Sequence, residues 1–319
     1  MIVEVTAVDW DAGSSRRAIV ALVDHAGNEF KLVDYDGAEL TIDWKPNHRY
    51  RISGCNVNKG GADYPVALEP SKRTRVESLG PSEDHTSLLV VGDTHVGRTN
   101  HPKMEARIDP VEAFATAVDY GIECGVDAVV HVGDIFHESA SEGEATAVDQ
   151  RVFALLEDAS IPFYYVRGNH TAEQGEGVLT KRPLVSNLDT GGERIGSDVR
   201  VFGIDHAEEG ELPWKRLSFP SRVSEPISIL VVHQTLRQLS GPTAKSVDLD
   251  RIQRRFGGQF DLVVSGHHHD ATMETRSGTT VMYTGAAERM SKNQDSTDRV
   301  AWLVTSAGSS VAIERYDIP

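Results

Sequence analysis

Hydrophobic positions change rhythm once along this chain. Over residues 1 to about 70, apolar and polar positions alternate in the short runs VEVTAVDW, RRAIVALVDH, NEFKLVDYD, HRYRISGCNV and PVALEP, which are broken by AGNE, DYDG and NKGG. A period of two punctuated by Gly, Asn and Asp predicts short strands joined by tight turns. Five such runs with no helical period predict a small closed all-β barrel over residues 1–80. SLGPSEDHT, residues 78–86, reads as a linker.

From Ser87 onward, apolar strands alternate with helical periods. SLLVV is followed by a helix over about 110–124, where Val111, Phe114, Ala115, Val118 and Ile122 fall on one face. Asp109 is its expected N-cap, Pro110 suits the first helical position, and Glu112 would complete a capping box. DAVVHV, a helix near 145–158, PFYYV, VRVFGI, ISILVV and DLVVS follow. The last runs, TMETRSGTTVMYTG and RVAWLVTSAGSSVAIERYDI, read as antiparallel hairpins with Ser-Gly and Ala-Gly turns. Strand–helix alternation ending in antiparallel hairpins predicts an α/β class domain over 87–319: a β-sandwich flanked by helices, preceded by the barrel.

Composition narrows the class. A hydrophobic content of 39% in 319 residues supports a substantial core. No run approaches 18 uninterrupted apolar residues, so no membrane span is expected, and MIVEVTAVDWDAG lacks the basic flank and long apolar stretch of a signal peptide. The two cysteines, Cys55 and Cys124, are far apart and outside any CxxC pattern, which fits a reducing cytoplasm. The net charge is −16, with 25 aspartates, 23 arginines and only 9 lysines. Such a surface repels nucleic acid at low salt. Concentrated salt shrinks that repulsion to roughly 3 Å at 1 M. The balance therefore suits a halophilic, salt-loaded cytoplasm and does not exclude a nucleic-acid substrate.

Candidate chemistry gathers where strands end. LLVV runs into Asp93 and His95, AVVHV into Asp134 and His137, FYYV into Asn169 and His170, ISILVV into His233, and DLVVS into GHHH. In open α/β sheets, sites form beyond the carboxyl ends of strands, so five such ends can converge. Glycine precedes four of the clusters (Gly92, Gly133, Gly168 and Gly266) and lets the backbone turn sharply there. In GHHH, neighbours in extended chain face opposite ways. Either His267 and His269 act together, or His268 acts alone, or none acts. His131 lies inside an apolar strand with no partner motif and reads as structural.

Taken together, D-x-H, G-D, G-N-H, H and G-H-x-H in this order are similar to the signature of the calcineurin-like metallophosphoesterases, over residues 87–319. GDTHVG, GDIFH, GNH and YTGAAERMS further resemble the SbcD-type DNA-repair exonucleases. Protein phosphatases of the superfamily carry an arginine soon after their GD, where this chain has Ile135, Phe136 and His137; Thr171 stands where many relatives have aspartate. The resemblance implies two linked metals. Asp93, His95, Asp134 and His269 would hold the first and Asp134, Asn169, His233 and His267 the second, with Asp134 bridging. His268 then becomes a spacer. Carboxylate, imidazole and amide ligands suit manganese, iron or zinc, with Mn2+ the expected pair. Two divalent ions outweigh the two aspartates, and a neutral Asn169 preserves that excess for a phosphodiester. His170 is the expected acid or transition-state clamp for the leaving oxygen, and His137 could touch phosphate or leaving nucleotide. Arg98, His101, Lys103 and Arg289 are candidates for gripping substrate.

The N-terminal runs resemble an OB-fold through the turn Asp24–Gly27 and the Y-x-I-x-G of Tyr50–Gly54. Such barrels stack single-stranded bases on aromatics over a basic groove. Trp10, Phe30, Tyr35, Trp44, Tyr50 and Tyr64, with Arg49, Arg51 and Lys59, are the candidates, at least half of the aromatics being expected in the core. The expectation is a metal-dependent nuclease that hydrolyses DNA phosphodiester bonds, on single strands or ends, with DNA as its partner. The alternative is a phosphodiesterase or phosphatase on small nucleotides or phosphoproteins. Relatives of the SbcD type dock a coiled-coil ATPase through further C-terminal segments; the sequence ends at Pro319, and that partnership is not expected.

Overall fold

The computed structural model describes residues 2–9, 16–24, 29–35, 42, 44–45, 48–58, 66–81, 85–99, 108–170, 173–208, 211–243, 245–289, 299–307 and 310–319. They fall into two compact units, Met1–Asp84 and His85–Pro319.

The first unit is a single sheet of β1 (Ile2–Asp9), β2 (Arg16–Asp24), β3 (Glu29–Tyr35), β4 (His48–Ser53), β5 (Asn56–Asn58), β6 (Val66–Glu69) and β7 (Arg75–Pro81), in the order β5-β6-β3-β2-β1-β4-β7. All neighbours are antiparallel except β3 and β6. Val3, Val5, Val20, Leu22, Leu32, Ile52 and Leu68 form its core. This order is open, with β5 and β7 at its ends, where a closed five-stranded barrel was expected. The fourth run, HRYRISGCNV, is not one strand. Gly54 takes φ +73°, and the chain on either side pairs with different neighbours. The presumed linker contributes β7, which pairs with β4.

Trp44 corrects a second expectation. Its ring and that of Tyr50 are each 2% exposed, with centroids 5.0 Å apart, and the Lys45 N–H donates to the Tyr50 hydroxyl at 2.9 Å. They are core, where no nucleobase can reach them. Arg51 is exposed and pairs with Glu77 on the adjacent strand at 2.5 Å. The side chains of Arg49 and Tyr35, and residues Trp10, Lys59 and Tyr64, lie outside the described residues, as do His101 and Lys103.

The second unit is a sandwich of two six-stranded sheets. One is ordered β11 (Val185–Asn187), β10 (Phe163–Tyr165), β9 (Ala128–His131), β8 (Ser87–Val91), β18 (Val300–Ala307), β19 (Ser310–Asp317). The other is β12 (Glu193–Ile195), β13 (Val199–Ile204), β14 (Ile227–Val232), β15 (Leu262–Ser265), β17 (Thr279–Tyr283), β16 (Thr272–Arg276). Their facing surfaces meet through Leu88, Val90 and Val130 on one side and Ile229, Val231, Val264 and Met282 on the other. The alternate residues, Leu89, Val91 and Val129, turn outward against α1 (Pro110–Cys124) and the 142–158 helix. The outer face of the second sheet packs Leu230, Val232 and Val263 on Leu249 and Ile252 of α6 (Leu249–Phe256). Strands covered on both faces cannot alternate apolar with polar, which is why SLLVV and ISILVV read as unbroken runs.

The 142–158 helix is interrupted. α2 (Glu142–Val148) and α3 (Ala154–Asp158) flank a π-helical turn over Asp149–Phe153. Shorter helices α4 (Glu173–Leu179) and α5 (Arg237–Ser240) complete the unit. Strands β8, β9 and β10 run parallel, as do β13, β14 and β15, so within each sheet the carboxyl ends share one edge. No helix among the described residues is long and apolar enough to cross a membrane.

Candidate metal centre

The loops leaving β8, β9, β10, β14 and β15 carry Asp93 and His95, Asp134, Asn169, His233, and His267 and His269, and the fold brings them together. His95 Nε2 lies 3.7 Å from Asp93 Oδ1, 3.5 Å from Asp134 Oδ2 and 3.2 Å from His269 Nε2. His269 Nε2 is also 3.7 Å from Asp93 Oδ1. On the other side of Asp134, His233 Nε2 lies 3.3 Å from the same Oδ2 and 3.1 Å from Asn169 Oδ1, which is 2.9 Å from His267 Nδ1. Asp134 Oδ2 thus faces His95 on one side and His233 on the other. Asp93, His95 and His269 form one compact group, Asp93, Asp134 and His233 a second, and His95, Asp134 and His170 a third, each with ligand atoms within 4.8 Å.

The backbone is bent to achieve this. Asp93, His95, Asp134 and His267 take φ of 49°, 44°, 54° and 75°, four of the six non-glycine residues with positive φ among those described. Side chains seldom adopt that region, and such strain collects at functional sites. Two glycines permit the packing. A Cβ on Gly168 would overlap the Asp134 carboxylate, and one on Gly133, at φ +104°, would meet the His233 ring.

The donor set fits a cation. His233 Nδ1 donates to the Val132 carbonyl at 2.8 Å, which leaves Nε2 facing Asp134 and the Asn169 oxygen. Burial pushes the His233 imidazole down, but the Asp134 hydrogen bond and the charges of Asp93 and Asp134 outweigh it and hold it above its ordinary range, so this pocket draws positive charge, as a proton on Nε2 or as a cation in its place. His95 adds a buried Nδ1 without a hydrogen-bond partner among the described residues. Burial pushes the Asp93 and Asp134 carboxyls up, but the hydrogen bonds and charges of the surrounding histidines outweigh it and hold both below the ordinary range. Burial pushes His267 down to about 4 and also lowers His269, so both are unprotonated at neutral pH.

Of the remaining expected residues, His170 stays with the cluster, its ligand atom within 4.8 Å of those of His95 and Asp134. His268 turns aside: its Nε2 is 3.2 Å from the Thr235 hydroxyl and its ring packs on Tyr283 at 4.3 Å. His131 is internal; its Nε2 lies 3.1 Å from the Thr94 hydroxyl and its Nδ1 accepts from Gly133 N–H, and burial pushes it down to about 3. His170 and His137 stack at the rim, ring centroids 5.0 Å apart. The His170 N–H donates to Asp134 Oδ1 at 2.9 Å, while its Nδ1 lies 2.7 Å from Glu138. His137 Nδ1 lies 2.7 Å from the Ser139 hydroxyl, which donates to the Gly97 carbonyl. Arg98 is half-buried beside the cluster, its N–H donating to the His95 carbonyl; the Arg289 N–H donates to Glu288.

Two further residues belong to the neighbourhood. Glu138 holds His170, as above. His206 follows β13; its Nδ1 donates to the His233 carbonyl at 2.8 Å and its ring lies 5.6 Å from that of His267. His206 lines a cavity of about 300 Å³ with Asn169, Glu208, Gln234, Thr235, Lys245 and His267.

The family model of the calcineurin-like phosphoesterase superfamily domain matches residues 87–306. Among curated proteins, the chain is similar to the DNA double-strand break repair protein Mre11 of Methanosarcina mazei, 27% identical over 239 residues, covering 73% of this chain and 38% of that protein. The Mre11 of Haloferax volcanii is 28% identical over 213 residues, covering 66% and 47%. That of Saccharolobus solfataricus is 26% identical over 217 residues, covering 65% and 56%. The chain thus spans only part of the length of these relatives. With donors from five strand ends gathered at one edge and a domain model covering 87–306, the chain belongs to the calcineurin-like phosphoesterase superfamily.

Proposed function

We propose that the protein is a DNA-repair nuclease that hydrolyses DNA phosphodiester bonds, on single strands or ends, with two divalent cations. The observation that carries this reading is the position of Asp134 between two donor clusters. Asp93, His95, Asp134 and His269 would hold one cation, and Asp134, Asn169, His233 and His267 the other, with manganese as the pair. When bound, the pair would lower the pKa of a shared water and neutralise the non-bridging phosphate oxygens. The chain's own residues do the rest. Asp134 Oδ1 accepts from the His170 N–H and so fixes where that imidazole stands. Glu138 engages His170 Nδ1, which leaves Nε2 for the departing oxygen, as proton donor or as clamp. His137, stacked on that ring, is the second group for the phosphate or the leaving nucleotide. Arg98 and Arg289 are the proposed grips on substrate near the centre.

The similarity to proteins named for DNA double-strand break repair supports DNA over small esters, and the GDIFH and AAERMS stretches support the SbcD type. For residues 1–80 we favour an OB-like module that binds single strands. The support is the β1–β2–β3 meander, the antiparallel β1–β4 pair, the parallel β3–β6 pair, and the two residues, Gly54 and Cys55, that alone separate β4 from β5. Arg49 and Arg51 are its proposed contacts. The acidic balance and the lack of a disulfide among the described residues, with Cys55 and Cys124 both as thiols, support a reducing, salt-rich cytoplasm. One panel tests the reading: the purified chain with Mn2+, offered labelled single- and double-stranded DNA, RNA and bis-p-nitrophenyl phosphate. Nucleotide release from DNA is expected; turnover of the small ester alone would leave a phosphodiesterase on small nucleotides, and silence on all four would remove the enzyme.

A further inference from the structure

The acidity of the chain is unevenly spread. Residues 211–259 carry eight arginines and lysines against four acids, a surplus of positive charge inside a protein of net charge −16. The fold gathers five of the eight. α6 sets Arg251, Arg254 and Arg255 three and four positions apart, so they share a face, and all three are exposed. The segment 214–217 lies along that helix. The Arg251 guanidinium sits over the Trp214 ring, 3.8 Å from its centroid, and Arg255 Nε donates to the Leu217 carbonyl at 2.9 Å. Lys215 and Arg216, both exposed, stand between those two contacts. None of the five has a carboxylate oxygen within 4 Å among the described residues.

Like charges one helical turn apart weaken a helix. Arg254 and Arg255 are offset by their place in the last turn, where the helix dipole favours cations. That explanation does not reach Arg251, Lys215 or Arg216. Further along the same stretch, Lys245 lines the cavity that also holds Asn169 and His267. Lys245 stands outside the five, and α6 begins four residues after it, so the chain leads from that cavity to the basic patch. A guanidinium held over an indole still has N–H groups to offer a phosphate.

We propose that Lys215, Arg216, Arg251 and Arg254 form a track for the phosphate backbone of a nucleic acid whose scissile group lies at the metal centre. The assignment rests on the nuclease reading above. A net acidic surface repels a polyanion, so a local surplus of positive charge favours where one can land. The contacts are to phosphate, hence independent of sequence and steep in salt.

The test uses the full chain carrying Lys215→Gln, Arg216→Gln, Arg251→Gln and Arg254→Gln together, checked for an unchanged circular dichroism spectrum. Affinity for a labelled oligonucleotide is read by fluorescence anisotropy in chelator across a salt series. The expected result is a loss of about tenfold or more at low salt, with the slope of log K against log salt reduced by about three. Turnover of bis-p-nitrophenyl phosphate should be unchanged. Unaltered affinity and slope would overturn the track. So would a wild-type dimer that separates in the variant while oligonucleotide affinity holds, since the surface would then join copies of the chain. A wild-type protein that binds oligonucleotide through this track without cleaving it would keep the track and remove the nuclease reading.

Discussion

Asp134 is the residue proposed to serve both donor clusters, and it sits at φ 54°, a conformation asparagine tolerates as well as aspartate. Asp134→Asn should therefore fold and keep its acceptor for the His170 N–H, yet lose the charge that both clusters share. Hydrolysis of DNA and of bis-p-nitrophenyl phosphate should each fall about 100-fold or more. Calorimetry should show weakened Mn2+ binding; activity within threefold of wild type would refute the bridging role. The three adjacent histidines give a sharper contrast. His268→Ala should leave Mn2+ affinity unchanged and cost about 1 kcal/mol of stability, because it removes the contact with Tyr283 and Thr235. His267→Ala or His269→Ala should each weaken the metal. Strand ends alone bring the candidates to one place, but spacing leaves His267 with His269 and His268 alone both open, and only the resemblance to the D-x-H, G-D, G-N-H, H, G-H-x-H order favours the pair. His206 obeys the same rule after VRVFGI, but it stands outside the D-x-H, G-D, G-N-H, H, G-H-x-H order and so escaped notice. Glu138 escaped for another reason: an acid after GDIFH looks like solvated surface until His170, 32 residues away, folds against it.

Helix starts illustrate what a local pattern can and cannot establish. At Ser141 the capping box is complete: the Ser141 side chain accepts from the Glu144 N–H, and Glu144 accepts from the Ser141 N–H at 2.8 Å. Ser141→Ala should destabilise the fold by about 1 kcal/mol in chemical denaturation, with no change in turnover. At Asp109 the cap forms but the expected reciprocal half does not. Glu112 pairs instead with Arg151 at 2.5 Å, and the Asp109 N–H donates to Glu288. Both competitors are distant in sequence, so no window around Asp109 could reveal them. β7 was hidden likewise, its strand character arising from the ladder with β4 rather than from SLGP itself. β19 carries a testable oddity of its own. Burial pushes Glu314 up to about 7 from an ordinary 4.5. Below pH 4.5 the carboxyl is protonated in both states and no penalty arises. Between about 4.5 and 7 the unfolded chain ionises first, so stability falls as pH rises through that window. Glu314→Gln should match wild type near pH 4 and melt higher than wild type above pH 7; equal melting temperatures at pH 8 would contradict this.

At the scale of the whole molecule, charge pulls stability and binding in opposite directions. A net charge of −16 makes the folded chain repel itself, since folding brings carboxylates closer than they stand in the unfolded state. Raising salt from 0.1 M to 1 M shortens the screening length from about 10 Å to about 3 Å, which relieves that repulsion. Exposed pairs such as Arg151–Glu112 and Arg51–Glu77 weaken under the same change, but isolated surface pairs contribute at most about 1 kcal/mol each. Repulsion among 48 acids against 32 bases should prevail. The melting temperature should therefore rise between 0.1 M and 1 M KCl, read by scanning fluorimetry at fixed pH. Oligonucleotide affinity should fall across the same range, because the contacts argued for Lys215, Arg216, Arg251 and Arg254 are to phosphate. The two trends are separable. A melting temperature that drops with KCl would mean that ion pairs, not self-repulsion, dominate the folded state. An affinity indifferent to KCl would mean that whatever nucleic acid binds here is not held by its backbone. If both trends hold, the working range is the overlap, with enough salt to quiet the acidic surface and not so much that the basic track loses its substrate.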